Sequence, residues 1–251
     1  MLIDAHCHFN AFSSLMREEI FSLAKNHCFI DSSIDWDSSA ASMELSQKYQ
    51  CVYSSLGFHP FNGENFSSTV LNNYDAAIAQ NKKVVAIGEI GLDYKANVPL
   101  EKQKDIFGEF VRLAVKNDLA VIIHNRFLAQ EGKKHPILDT LDRFVKTYGK
   151  VVFHCFSYSS SFMNEIIDRG GYVSFSLNIL RNKSEIVTSL KQCPLDNLLL
   201  ETDSPYMKIK DKSSTPLDIQ KVYAFTAAIK GIDEGTLKER VYSNVKRLFA
   251  I

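Results

Sequence analysis

The sequence has no C-x-x-C pair. Its five cysteines, Cys7, Cys28, Cys51, Cys155 and Cys193, are odd in number and scattered, which excludes both a disulfide framework and a thiolate zinc site. A reducing, cytoplasmic setting is expected. No apolar run reaches the roughly 18 residues of a membrane helix. Met1-Leu2-Ile3-Asp4-Ala5-His6 puts a charge and an imidazole where a secretory leader would be apolar. An excess of charge is also missing, because 29 Lys and Arg meet 29 Asp and Glu. The chain as a whole therefore has no field with which to coat nucleic acid or an anionic membrane, although a local basic face is compatible with neutrality. No Pro/Gly/Ser tract marks a linker, so one domain over residues 1–251 is expected. No G-x-G-x-x-G or G-x-x-x-x-G-K-[ST] follows the first apolar run, so a nucleotide-binding doubly wound sheet lacks its signature.

What the chain does have is 45% hydrophobic residues, enough for a substantial core, arranged as short apolar runs followed by longer helical stretches. Eight runs stand out, at residues 2–5, 29–34, 52–56, 84–87, 120–123, 151–153, 172–175 and 197–200. Residues 100–117 illustrate the helical periodicity. There Ile106, Phe107, Phe110, Leu113 and Ala114 share a face while Lys102, Lys104, Glu109 and Arg112 lie opposite. Asp233 is placed to cap a last helix carrying Leu237, Val241, Val245 and Leu248. Eight buried strands alternating with helices predict a (β/α)8 TIM-type barrel.

Barrel enzymes build their sites at the carboxyl ends of the strands, and here almost every run ends in a metal-ligand type. The ends read Asp4-Ala5-His6-Cys7-His8, Gly57-Phe58-His59-Pro60, Gly88-Glu89-Ile90-Gly91-Leu92-Asp93, His124-Asn125-Arg126, His154-Cys155-Phe156-Ser157 and Glu201-Thr202-Asp203-Ser204-Pro205. Strand alternation projects Asp4, His6 and His8 to one face and Cys7 to the other. His6 and His8 can chelate one ion, His124 and His154 can converge on a second, and Glu89 on the neighbouring strand can bridge them. Mixed nitrogen and oxygen donors suit zinc, manganese or a similar divalent ion better than calcium. Two such ions about 4 Å apart favour hydrolysis, with Asp203 placed to bind the first and take a proton from water.

His27 and His135 lie outside this set and read as surface or capping residues, and Cys7 and Cys155, turned away from the metals by strand alternation, as small buried fillers. Asp4, Asp93 and Glu201 can orient ligands rather than bind metal. Nine basic residues fall in loops expected to surround the site: Lys95, Arg126, Lys133, Lys134, Arg181, Lys183, Lys208, Lys210 and Lys212. Phe61, Tyr94, Phe127, Phe156, Tyr158 and Tyr206 lie nearby. Cations on one rim can meet phosphates, and aromatic rings can stack on unpaired bases.

Taken in order, these strand-end motifs and the closing Asn244-Val245-Lys246-Arg247-Leu248-Phe249 resemble the TatD family of metal-dependent hydrolases, within the amidohydrolase-like superfamily. The resemblance spans nearly the whole chain. It implies a barrel with one to three divalent metals and phosphodiester hydrolysis of DNA, often as a 3′→5′ exonuclease; a barrel mouth admits a single-stranded or frayed end more readily than duplex, and no membrane or obligate protein partner is expected. By motif position it implies His6, His8, Glu89 and Asp203 on one ion and Glu89, His124 and His154 on another. His59 would contact the scissile phosphate or assist a further metal, and Arg126 would bind substrate. The chain departs from the family pattern at Phe127-Leu128, at Tyr158 where a small residue is expected, and at Ser214-Thr215-Pro216. All three lie in loops that face substrate. An alternative on the same barrel is hydrolysis of a carboxylic ester, lactone or amide, including the aminoacyl-tRNA ester.

Overall fold

The structure, a computed structural model, describes residues 1–127 and 134–251. Among these, eight parallel strands follow one another around a nearly closed barrel: β1 (Leu2–Cys7), β2 (His27–Ser32), β3 (Val52–Leu56), β4 (Val84–Asp93), β5 (Ala120–Arg126), β6 (Val151–Phe153), β7 (Tyr172–Phe175) and β8 (Leu198–Leu200). Helices α1 (Ser14–Leu23), α2 (Trp36–Lys48), α3 (Ser68–Gln80), α4 (Leu100–Lys116), α5 (Pro136–Leu141), α6 (Ser160–Asp168) and α7 (Ser184–Gln192) fill the crossovers. Two more, α8 (Ile219–Lys230) and α9 (Glu234–Phe249), follow β8. The predicted TIM-type barrel is observed. Strands covered by helices outside and packed inside leave no wet face, so Leu198, Leu199 and Leu200 are all fully buried.

Helix α4 buries the predicted face, and Phe110 stacks on Phe58 beyond β3 at 5.5 Å. Asp233 caps α9 by accepting the Thr236 N–H at 2.9 Å. The seam between β8 and β1 is closed differently from the other strand pairs. Thr202 donates its N–H and hydroxyl to the Asp4 carboxylate at 2.9 and 2.6 Å. Asp203 N–H reaches the His6 carbonyl at 3.0 Å, and His8 N–H the Ser204 carbonyl at 2.8 Å. Asp4 thus ties the seam together rather than holding a ligand ring. The same bonds carry Asp203 to the side of His6 and His8.

Several expectations need correction. Strand β4 does not stop at residue 87 but runs to Asp93, because β5 pairs with it to the end, Gly91 opposite His124 and Asp93 opposite Arg126. His27 is a buried strand residue, stacked against Phe29. Its ring nitrogens find no hydrogen-bond partner among the described residues. His135 caps α5 as expected, accepting the Ile137 N–H, but it is buried rather than on the surface. A hairpin of β9 (Lys208–Ile209) and β10 (Lys212–Ser213) was not expected. It turns on Lys210 and Asp211, both at positive φ. Two residue pairs are too short to write an apolar alternation. Leu128 and Lys133 lie outside the described residues.

At the amino end of the barrel, the Lys83 ammonium lies 2.8 to 3.0 Å from the carbonyls of Ser46, Tyr49, Gln50 and Val52 and shares its three protons among them. It thereby ties the end of α2 to the start of β3, where the Tyr49 carbonyl also accepts the Val52 N–H at 3.1 Å. Lys83→Met should lower stability by about 2 kcal/mol, the scale of charge-assisted bonds partly replaced by water. A shifted urea midpoint at constant m checks it; an unmoved midpoint would mean that water serves the carbonyls equally well.

Candidate metal centre

Alternation along β1 brings the Nε2 atoms of His6 and His8 within 3.2 Å of each other. Glu89, buried on β4, stands between two groups of imidazoles. Its Oε2 lies 3.7 and 3.5 Å from Nε2 of His6 and His8. Its Oε1 lies 2.6 Å from His124 Nδ1, 3.0 Å from His154 Nε2 and 3.5 Å from His59 Nε2. Asp203, at φ +55°, turns Oδ1 to within 3.9 and 3.6 Å of Nε2 of His6 and His8. All the candidate ligands named from the sequence therefore meet at the carboxyl ends of the strands.

Three groups could each hold an ion, the first two sharing His6: His6, His8 and Asp203; His6, Glu89 and His154; and His59, Asp93 and His124. Four donors about 2.1 Å from a tetrahedral ion stand about 3.4 Å apart, and the spacings here fall around that value. The fit extends to the outer nitrogens. His6 Nδ1 meets Ser32 Oγ at 3.0 Å, His124 Nε2 meets Asp93 Oδ2 at 2.9 Å, and His154 Nδ1 faces Glu201 Oε1 at 3.4 Å. The first two contacts are hydrogen bonds that hold one ring nitrogen and leave the other to face the centre, whereas His154 Nδ1 makes none among the described residues and meets Glu201 only as a neighbouring charge. Asp93 and Glu201 were expected in this role. Ser32 was not, since nothing in its local sequence distinguishes a serine at a strand end.

The charges are strongly coupled. Burial alone would raise the Glu89 pKa, yet the imidazoles of His154 and His59 and the bonds from His124 and His154 hold it well below the usual carboxylate range. Burial opposes a charge on His154, but Glu89 and Glu201 outweigh it and push its pKa well up. His59 behaves oppositely, with burial lowering it to about 4. Its Nδ1 accepts the Phe61 N–H at 3.2 Å, and a backbone N–H can only donate. The proton of neutral His59 is therefore on Nε2, aimed at the centre.

Above the centre opens a cavity of about 460 Å3 lined by His59, Glu89, His124, Arg126, His154 and Asp203, with Phe61 and Tyr206 at its mouth. Phe61 stacks on His59 at 5.1 Å and Tyr206 meets His8 edge to face at 4.7 Å. Arg126 lies 3.4 Å from Asp93 and keeps half its side chain exposed. Cys155 also lines this cavity, contrary to the reading that turned it away. Its φ of +45° breaks the strand alternation on which that reading relied. Cys7 is buried as expected.

The barrel and its strand-end donors define a class, the metal-dependent hydrolases. Residues 3–250 match the family described as TatD related DNase, and the chain belongs to that family. The 3'-5' ssDNA/RNA exonuclease TatD of Citrobacter koseri is 31% identical over 85% of this chain and 84% of its own. The uncharacterized metal-dependent hydrolase YabD of Bacillus subtilis is 28% identical over the full length of both. The crystal structure of the TatD homolog YjjV from Escherichia coli superposes with a TM-score of 0.89 at 28% identity, covering 100% of this chain and 98% of that one. No helix among the described residues is long and apolar enough to cross a membrane.

Proposed function

We propose that the chain is a divalent-metal-dependent phosphodiesterase acting as a 3′→5′ exonuclease on single-stranded or frayed DNA ends. The observation that carries this reading is Glu89, whose two oxygens face separate sets of imidazoles, His6 with His8 on one side and His124 with His154 on the other. A bridging carboxylate between two nitrogen-rich groups is what a pair of ions needs. The exonuclease name of the Citrobacter relative supports the choice of bond.

In this reading His6, His8, Glu89 and Asp203 would hold one ion and Glu89, His124 and His154 a second, magnesium, manganese or zinc. Such ions supply Lewis acidity and a water activated at neutral pH. Asp203 takes the proton of the attacking water. His59 donates its Nε2 proton to a phosphoryl oxygen, and the Phe61 N–H fixes that tautomer. Arg126 offers its exposed guanidinium to the phosphate, a partner its planar fork suits.

The test is metal-stripped protein on end-labelled single-stranded DNA, with magnesium, manganese or zinc restored separately. A ladder of single-nucleotide steps that needs metal is expected. Asp203→Ala should lower its rate by roughly 100- to 10,000-fold, the usual contribution of a positioned base. Intact DNA under every metal, with metal bound, would overturn the reading.

A further inference from the structure

The cavity above the metal centre has a neighbour of about 660 Å3, and Arg126, Ser157 and Tyr158 line both. Tyr158 is the partition between them. Its hydroxyl donates to the Asn125 carbonyl at 2.6 Å and accepts the Phe127 N–H at 3.3 Å. Its ring packs edge-on against Phe156 and Phe162 at 5.7 and 5.3 Å. Both ends of the side chain are thus fixed, and the wall does not depend on a free rotamer. Arg126 stands where the two cavities join, within reach of a phosphate shared between them.

The second cavity has its own chemistry. Tyr94 and Phe127 meet there edge to face at 6.4 Å, and Tyr94 is 60% exposed. An exposed ring braced by a second ring is a stacking platform for a flat heteroaromatic group. Glu165 and Glu185 line this cavity and not the first. Carboxylates accept hydrogen bonds from the ring and exocyclic amines of bases and repel a further phosphate.

We propose that the second cavity is a subsite for one nucleobase, that of the nucleotide adjacent to the scissile phosphate, stacked on Tyr94 with its phosphate on Arg126. This rests on the phosphodiesterase reading. The subsite takes a single nucleotide, because Glu165 and Glu185 repel a continuing polyanion and Lys134 on the same wall is already paired with Asp142 at 2.9 Å. Tyr158, fixed at both ends of its side chain, is the reason that the terminal and adjacent nucleotides occupy two chambers rather than one trough.

Two measurements test it. Metal-stripped protein, which cannot cut, is titrated calorimetrically with dTMP and with the tetranucleotide dT4, and the metal-restored protein is assayed on bis(p-nitrophenyl) phosphate. Tyr94→Ala, which removes an exposed ring and no core contact, should weaken dT4 binding about tenfold, the scale of one lost stack. Its dTMP affinity and its turnover of the small diester should stay at wild-type values. Equal dT4 affinity in the two proteins, an equal loss for dTMP, or no dT4 binding by the wild type would each overturn the subsite. A wild type that discriminates dT4 through Tyr94 yet leaves the diester intact would uphold the subsite and sink the phosphodiesterase reading instead.

Discussion

Glu89→Gln is expected to lower DNA hydrolysis roughly a thousandfold, about 4 kcal/mol of transition-state stabilisation, and to reduce the divalent metal retained by the chain. The size follows from how many partners one side chain serves. Oε1 touches His59, His124 and His154, and Oε2 touches His6 and His8. An amide keeps the shape but offers one acceptor and one donor, so one set of imidazoles must face an N–H where it had an anion. Glutamine is preferred to alanine because it opens no cavity and leaves the barrel intact. Metal content after gel filtration and the rate at saturating metal should fall together. Full metal content and full activity in Glu89→Gln would show that the two groups of histidines do not depend on a shared carboxylate. Glu89→Asp keeps the charge but shortens the reach, and an intermediate loss would locate the effect in the bridging position rather than in charge alone.

That the candidate ligands would gather could be read from the sequence because each sits where an apolar run stops, and strand ends in a barrel share one rim. What could not be read is how those ends are held. Residue 87 looked like the end of the fourth strand because Gly88 and Glu89 interrupt the apolar residues. The strand continues because β5 pairs with it beyond that point, and pairing between segments more than thirty residues apart leaves no local signature. His27 read as a surface residue since buried histidines are normally hydrogen-bonded, and its unpartnered ring is an exception to that rule. Asp4 read as a ligand orienter because it shares a face with His6 and His8. Its actual partner, Thr202, lies 198 positions away, across a seam visible only once the barrel closes. Cys155 escaped for a smaller reason, a single positive φ that turned the chain where alternation was assumed. For the fourth strand and for Asp4 the missing quantity was thus a long-range approach, and for Cys155 a local dihedral.

Gly91→Ala should expose the most consequential of these approaches, with a loss of at least about 3 kcal/mol, from a strained φ together with a backbone clash. Gly91 lies at φ +150° directly opposite His124, and a Cβ there would stand 1.9 Å from the His124 carbonyl oxygen. That oxygen belongs to backbone and cannot swing aside as a flexible side chain would. The methyl group must therefore push β5 away from β4, and those strands carry His124 and Glu89, whose side chains meet at 2.6 Å. Stability and the metal centre are thus coupled through one hydrogen atom. For a chain of this size the stability change corresponds to a fall in Tm of roughly 6 to 12 °C. Metal retention should fall as well, because the His124 donor moves relative to Glu89. Gly149→Ala is the control, since a Cβ there meets nothing within 4 Å, and its Tm should match the wild type. A Gly91→Ala protein that melts with the wild type and keeps its metal would mean that β4 and β5 can separate without cost, and the close approach would then not be what positions Glu89.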